Sequence, residues 1–307
     1  MAAKMYDLII IGSGPAGLAA SIYATRARLD FIVIEQNYIS GGQVVNTYQI
    51  DNYPGTPGIS GMDLGMKMRE QAEGLGAEFV CETVNGISFE GEVKRVMTDN
   101  KTYEAKTVII AMGAEHRKLG VPGENELAGQ GVSYCATCDG AFFKGSDVAV
   151  IGGGDVAAGD AIFLARGCSK VYLVHRRDEL RAAKVLQEKV FSLPNVEPVL
   201  SYTVKSIEGE NQTGAIRLIS VKDGSERTLH VDGVFIAVGI QPNTELFKNR
   251  LEMDAQGYIV AGEDGRTSVD GVFAAGDIRT KKLRQIVTAC ADGANAVTGV
   301  EEYLLTH

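Results

Sequence analysis

The stretch Asp7-Leu-Ile-Ile-Ile-Gly12-Ser-Gly14-Pro-Ala-Gly17 decides the fold. An apolar run meets a glycine-rich turn, an alanine-rich segment follows from Leu18 to Arg28, and a second apolar run, Phe31-Ile-Val-Ile, ends at Glu35. Strand, turn, helix and strand in that order predict a βαβ unit. Gly12 permits the tight turn, Gly14 lets the backbone approach a pyrophosphate, and Gly17 lets helix and strand pack closely. The helix start offers unpaired N–H groups and its positive dipole end to the phosphates. Glu35, closing the second apolar run, stands where a carboxylate accepts from ribose hydroxyls. A lone G-x-G-x-x-G also fits an ordinary glycine-rich turn, but the strand, helix and acid at this spacing favour a dinucleotide site.

A second copy lies near the middle of the chain. In Asp147-Val-Ala-Val-Ile-Gly152-Gly-Gly154-Asp155-Val-Ala157, the positions of Asp7, Gly12, Gly14 and Gly17 fall on Asp147, Gly152, Gly154 and Ala157. The returning run Val171-Tyr-Leu-Val ends at His175, which replaces the ribose-binding acid and is followed by Arg176, Arg177 and, one helical turn on, Arg181. A carboxylate repels a 2′-phosphate, whereas arginine forks bind it through charge-assisted pairs. The bland alternative is a solvated basic segment. Two nucleotide units imply two dinucleotides, and the economical assignment is FAD in the first and NADPH in the second. The apolar segments Val108 to Gly113 and Gly233 to Gly239 each end in a loop, and they read as the crossings between domains. The expected fold is α/β, with two Rossmann-like domains, the NAD(P)-binding one inserted into the FAD-binding one. Its boundaries are 1–116 for the first part of the FAD domain, 117–243 for the NADPH domain with the cysteine pair, and 244–307 for the second part of the FAD domain.

Composition agrees with this reading. At 307 residues the chain holds about two domains, and 45% hydrophobic with 22% charged residues marks it as globular. Glycine, 37 of 307 residues, exceeds the usual ~7%, as tight turns and phosphate loops require. A formal charge of −9 disfavours a large nucleic-acid or anionic-membrane surface. No apolar run approaches the ~18 residues of a membrane-spanning helix, and the start of the chain lacks a secretory leader pattern. The expected compartment is the cytoplasm.

The five cysteines are at 81, 135, 138, 168 and 290. Cys135-Ala-Thr-Cys138 can close a disulfide or supply half a zinc site. The remaining cysteines and the histidines at 116, 175, 230 and 307 offer no second ligand pair at zinc spacing, so a redox dithiol is the better reading and no metal is expected. Asp139 can supply a proton to a departing thiolate, or can be a plain turn residue before Gly140. Cys81, Cys168 and Cys290 read as small buried apolar residues. Near the C-terminus, Gly276-Asp277 ends a short strand with an acid placed to accept from polyol hydroxyls. Arg284-Gln285 opens a helix whose N-terminus suits an anionic ring edge.

These motifs carry a resemblance. With Gly41-Gly42-Gln43, Asn52-Tyr-Pro-Gly55, Ser133-Tyr-Cys-Ala-Thr-Cys-Asp-Gly140 and His175-Arg-Arg-Asp-Glu-Leu-Arg181, the chain resembles the low-molecular-weight thioredoxin reductases over essentially its whole length. The resemblance implies hydride transfer from NADPH to FAD and reduction of a Cys135–Cys138 disulfide by the flavin through Cys138. Cys135 would then attack the thioredoxin disulfide, with Asp139 as acid. It also implies FAD contacts at Gly12, Ser13, Gly14, Ala16, Gly17, Glu35, Gln36, Gly42, Gln43, Asn52, Gly113, Gly276, Asp277, Arg284 and Gln285. NADPH contacts are implied at Gly152, Gly154, Asp155, Ala157, His175, Arg176, Arg177 and Arg181, together with a homodimer whose NADPH domain rotates. One departure stands out: Gly159-Asp160 replaces a pair of glutamates common in the family, at a helix-propensity cost of ~1 kcal/mol for the glycine. Alternatives are a flavoprotein serving a peroxiredoxin or glutaredoxin-like partner, one fed by ferredoxin, or a redox sensor without turnover.

Overall fold

The apolar run at Leu8 to Ile11 has no polar side to turn to water, and it forms the buried centre of a sheet, with Leu8, Ile9 and Ile10 fully shielded. The structure is a computed structural model that describes residues 4–47 and 49–307. In chain order the elements are β1 (Met5–Ile11), α1 (Pro15–Arg26), β2 (Phe31–Glu35), α2 (Gly61–Gly74), β3 (Phe79–Cys81), β4 (Val84–Ser88), β5 (Lys94–Thr98), β6 (Thr102–Ile110) and β7 (Ala114–His116). Next come β8 (Val132–Ser133), α3 (Ala136–Asp139), β9 (Asp147–Ile151), α4 (Asp155–Leu164), β10 (Lys170–His175), α5 (Lys184–Ser192) and β11 (Val196–Leu200). They are followed by β12 (Tyr202–Glu208), β13 (Ala215–Ser220), β14 (Glu226–His230), β15 (Gly233–Ile236), β16 (Ile240–Pro242), β17 (Val272–Ala274) and α6 (Ile286–Thr306).

The chain forms two compact units, Met1–Glu115 with Gln241–His307, and His116–Ile240, so the second is inserted into the first. In the first, the sheet order is β3-β2-β1-β6-β5-β4, with β17 also pairing with β6. Strands β1, β2, β3, β6 and β17 are parallel, and β4 to β6 are antiparallel. The second unit has an all-parallel sheet, β11-β10-β9-β15-β8, beside an antiparallel sheet of β12, β13 and β14. The internal repeat extends to register: Ile10 pairs with Val33, and at the matching positions of the second copy Val150 pairs with Leu173. In the parallel part of each sheet the glycine-rich turn leaves the carboxyl end of an inner strand, where doubly wound sheets bind their ligands.

Small residues let α6 close over α1. Ala16, Ala20 and Ala24 share a buried cluster with Ala289, Ala296, Val297 and Val300. A Cβ on Gly293 would lie 2.1 Å from the Ala16 carbonyl oxygen, so only glycine fits there. On α6, the buried Asp292 carboxylate accepts from Arg279 Nε at 2.9 Å and Nη2 at 2.6 Å, from Lys281 Nζ at 2.8 Å, and from the Gly276 N–H at 2.9 Å. This cluster ties the Gly276-Asp277 turn to the helix. Burial pushes the Asp292 carboxyl up, but hydrogen bonds from Arg279 and Lys281 outweigh it and hold the group below the usual carboxylate range. Asp292→Ala leaves two buried cations uncompensated and should destabilise the protein by about 3–5 kcal/mol in urea unfolding. Because the folded value is depressed, the Asp292 contribution is present above the unfolded carboxylate value, ~3.9, and is lost as pH falls through the folded one.

Candidate active site

In the first unit the glycine turn is shaped by contacts that exclude side chains. Gly12 has φ +101° and a Cβ there would lie 2.5 Å from the Ala111 oxygen, while one on Gly17 would lie 1.9 Å from the Gly12 oxygen. Gly14 and Gly42 face each other, a Cβ on Gly14 coming no closer than 4.0 Å to the Gly42 Cα. Pro15 opens α1, and the first-turn N–H groups beyond it, those of Ala16 and Gly17, have no partner inside the helix. Glu35 Oε2 accepts from the Ser13 N–H and from Ser13 Oγ, both at 2.8 Å. Oε1 accepts from the Asn37 N–H at 2.9 Å and, more loosely, from Asn37 Nδ2 at 3.3 Å. Ser13 is thus a buried tie between the turn, Glu35 and Ser40, whose hydroxyl in turn accepts from Arg69. A cavity of about 110 Å³ opens beside Glu35 and is lined by Asn37, Arg69, Phe79 and Cys81.

Two buried polar atoms on the returning chain lack partners among the described residues: Asp277 Oδ1 and Arg284 Nε. Burial pushes the Asp277 carboxyl up, against the pull of Lys281 and Arg284. Arg284 lies 4.1 Å from the centre of the Tyr258 ring. Gln285 caps α6 in a reciprocal box with Thr288, and its Oε1 accepts from Asn52 Nδ2 at 2.9 Å. A glycine-rich turn whose one serine points back to Glu35 and Ser40, free helix N–H groups and unsatisfied buried polar atoms suit a large, phosphate-bearing, hydroxyl-rich ligand, and they fit a flavin dinucleotide. Gln36 and Gln43 are exposed, and Gly113, with φ +65°, ends the β6 return with open space where a Cβ would be.

The second turn repeats the first. A Cβ on Gly152 would lie 2.4 Å from the Ala237 oxygen, and Gly154 and Gly159 have open space. Asp155 Oδ1 accepts from the Ala183 N–H at 2.7 Å, and Gly153 O accepts from the Arg181 N–H at 2.6 Å, so segment 176–183 folds back onto the turn. Arg176, Arg177 and Arg181 are exposed, and among the described residues none has a carboxylate partner. Such a trio suits a phosphate. His175 corrects the sequence reading of a four-residue basic cluster. Its ring is buried against Gly153, where a Cβ would come within 2.4 Å of it. Burial and the neighbouring arginines both push its pKa down.

Cys135 and Cys138 are joined in a disulfide at the start of α3, Cα to Cα 5.3 Å, and both are half-buried. The Asp139 N–H donates to Cys135 O at 3.1 Å, closing the turn. Burial pushes the Asp139 carboxyl up, and a hydrogen bond from Ser133 Oγ, 2.5 Å from Oδ2, opposes the shift. The arrangement offers a reducible disulfide with an acid one residue away. Among the described residues there is no cluster of three or more His, Cys, Asp or Glu able to hold a metal, and no helix is long and apolar enough to cross a membrane.

A family model described as pyridine nucleotide-disulphide oxidoreductase matches residues 6–293. The chain belongs to that family. It is 49% identical over 303 residues to the thioredoxin reductase of Listeria monocytogenes, covering 98% of this chain and 94% of the relative. To that of Bacillus subtilis it is 47% identical, covering 98% and 95%. A crystal structure of thioredoxin reductase from Streptococcus pyogenes superposes with TM-score 0.95 at 46% identity, over the whole of both chains. Family membership accounts for the paired turns and the disulfide together.

Some features were not legible beforehand. Cys81, expected to be buried, is exposed because β3 is an edge strand; its thiol donates to Gln36 O at 3.5 Å. Cys168 is buried and Cys290 half-buried, with Tyr53 Oη 3.8 Å from the Cys290 sulfur and the Tyr53 pKa pushed up to about 12, mainly by burial. Ser133 lies within the motif around the cysteine pair, but its contact with Asp139 is not legible there, and the Arg279–Asp292–Lys281 cluster carries no sequence signal, because each depends on contacts that only the folded chain creates.

Proposed function

We propose that this chain is an NADPH-dependent thioredoxin-disulfide reductase, with FAD on the first unit and NADPH and the redox dithiol on the inserted one. The observation that carries it is the Cys135–Cys138 disulfide, found in a chain with two glycine-only phosphate turns, the second flanked by three exposed arginines that have no carboxylate partner among the described residues. FAD and NADPH, when bound, supply the two-electron hydride chemistry that protein side chains lack.

The side chains bind and orient. Gly12, Gly14, Gly42 and the N–H groups of Ala16 and Gly17 receive the flavin pyrophosphate. Glu35 would hold the adenosine ribose through its carboxylate, whose Oε1 is only loosely engaged by the Asn37 side-chain amide. Asp277, Arg284 and the Asn52–Gln285 pair hold the polyol and ring end, with Ser13, Gln36, Gln43, Gly113 and Gly276 shaping the site. On the second unit Gly152, Gly154, Asp155 and Ala157 form the pyrophosphate turn. Arg176, Arg177 and Arg181 would read the 2′-phosphate beside the buried His175, and the open space at Gly159 would leave room for the ligand.

In the thiol step, the Cys135 thiolate attacks one sulfur of the thioredoxin disulfide. A new S–S bond forms to Cys135, the thioredoxin bond breaks, and the departing thiolate takes the Asp139 proton. The Cys138 thiolate then attacks Cys135 Sγ, closing the internal disulfide and freeing the second thioredoxin sulfur. Two electrons leave the dithiol and two enter thioredoxin. The reading includes a homodimer working in the cytoplasm.

The test is steady-state turnover of the FAD-loaded chain. Oxidised thioredoxin should trigger NADPH consumption, with NADH far slower. Turnover driven by reduced ferredoxin but not by NADPH, or supported by a glutaredoxin-like protein but not by thioredoxin, would overturn the proposal.

A further inference from the structure

Ser133, at the end of β8, is buried, and among the described residues its side chain alone is hydrogen-bonded to the Asp139 carboxyl. Its hydroxyl oxygen lies 2.5 Å from Asp139 Oδ2, accepts from the Cys135 N–H at 3.0 Å, and lies 3.4 Å from Cys135 O. A hydroxyl carries one proton and two acceptor sites, and these contacts use them in two ways. When Asp139 is ionised, Ser133 donates to its carboxylate. When Asp139 is protonated, its own O–H can donate to Ser133 while the serine proton turns to Cys135 O. One lone pair stays filled by the Cys135 N–H in both states. The serine could merely satisfy that N–H in a local turn, but such a role requires no contact with Asp139.

We propose that Ser133 is the positioning residue for the Asp139 acid, holding its carboxyl against the backbone of the attacking Cys135 in both protonation states. The proposal rests on the reading of Asp139 as the proton donor to thioredoxin. The charged groups on the element packed against α3 are Asp155 and Asp160 of α4, and Lys144 follows the adjoining turn Gly140–Phe143. Burial holds Asp160 up at about 6, while the Asp139 shift answers to its own burial and to Ser133. Without the serine hydroxyl, burial acts unopposed on Asp139. The carboxyl then keeps its proton to higher pH but loses its fixed orientation.

The experiment measures thioredoxin reduction by the FAD-loaded full chain across a pH series for wild type, Ser133→Ala, Ser133→Thr and Asp139→Asn. Ser133→Ala should lower kcat about 10-fold with little change in the thioredoxin KM, and should move the alkaline limb to higher pH. Ser133→Thr, which keeps the hydroxyl, should restore both. Wild-type rate and limb in Ser133→Ala, or a slow enzyme with an unmoved limb that threonine does not rescue, would overturn the inference while a slow Asp139→Asn left the acid assignment standing. Full activity in Asp139→Asn would overturn the acid assignment and the inference with it.

Discussion

Replacing Cys135 or Cys138 with serine should lower thioredoxin reduction by more than about 10³-fold. A serine hydroxyl is neither a thiolate at working pH nor able to form a sulfur–sulfur bond, so each substitution removes one half of the exchange. The two variants should differ in kind. Cys138→Ser keeps the attacking thiol but lacks the one that resolves the intermediate, so it should accumulate a mixed disulfide joining Cys135 to thioredoxin. Cys135→Ser should form no such adduct. Non-reducing electrophoresis with peptide mass mapping separates these outcomes, and an adduct on Cys81 or Cys290 instead would remove the dithiol from the path.

Arg176→Ala combined with Arg177→Ala should raise the KM for NADPH about 100-fold and leave that for NADH nearly unchanged. Each guanidinium is exposed and, among the described residues, has no carboxylate of its own to satisfy, so its hydrogen-bonding capacity is available to a 2′-phosphate. NADH offers no such group. The wild-type preference should shrink as salt rises, since exposed charges are screened within about 10 Å at 0.1 M. A variant in which both coenzymes weaken equally would place these arginines outside the 2′-phosphate pocket.

The two dinucleotide folds were legible because their physics is local. Glycines at 12, 14 and 17 and again at 152 and 154 stand where the turn forbids a side chain or leaves a gap, and the flanking apolar runs can only be buried strands. The repeat extends to the pairing of Ile10 with Val33 and of Val150 with Leu173. Buried polar contacts were not legible. Glu124 sits in the stretch Gly-Glu-Asn-Glu, which belongs to no motif. In the fold it is buried and accepts from the Leu119 and Gly120 N–H groups and from Tyr134 Oη at 2.8 Å. Asp292 belongs to no motif and is the centre of a buried cluster. His175 begins a basic stretch, but the strand that ends there turns its ring onto a glycine, and burial and the neighbouring arginines push its pKa down. For Asp292 and His175 the packing partner lies more than ten residues away, and for Glu124 the turn that brings Leu119, Gly120 and Tyr134 onto its carboxylate exists only once the chain has folded.

The most direct measurement alkylates the cysteines of the FAD-loaded chain under anaerobic conditions before and after coenzyme is added, and maps the labels by mass spectrometry. NADPH should open the Cys135–Cys138 disulfide and expose both residues to the reagent, whereas an equal concentration of NADH should leave them protected. Persistence of the closed disulfide after NADPH has been consumed, or labels gained only at other cysteines, would contradict the account.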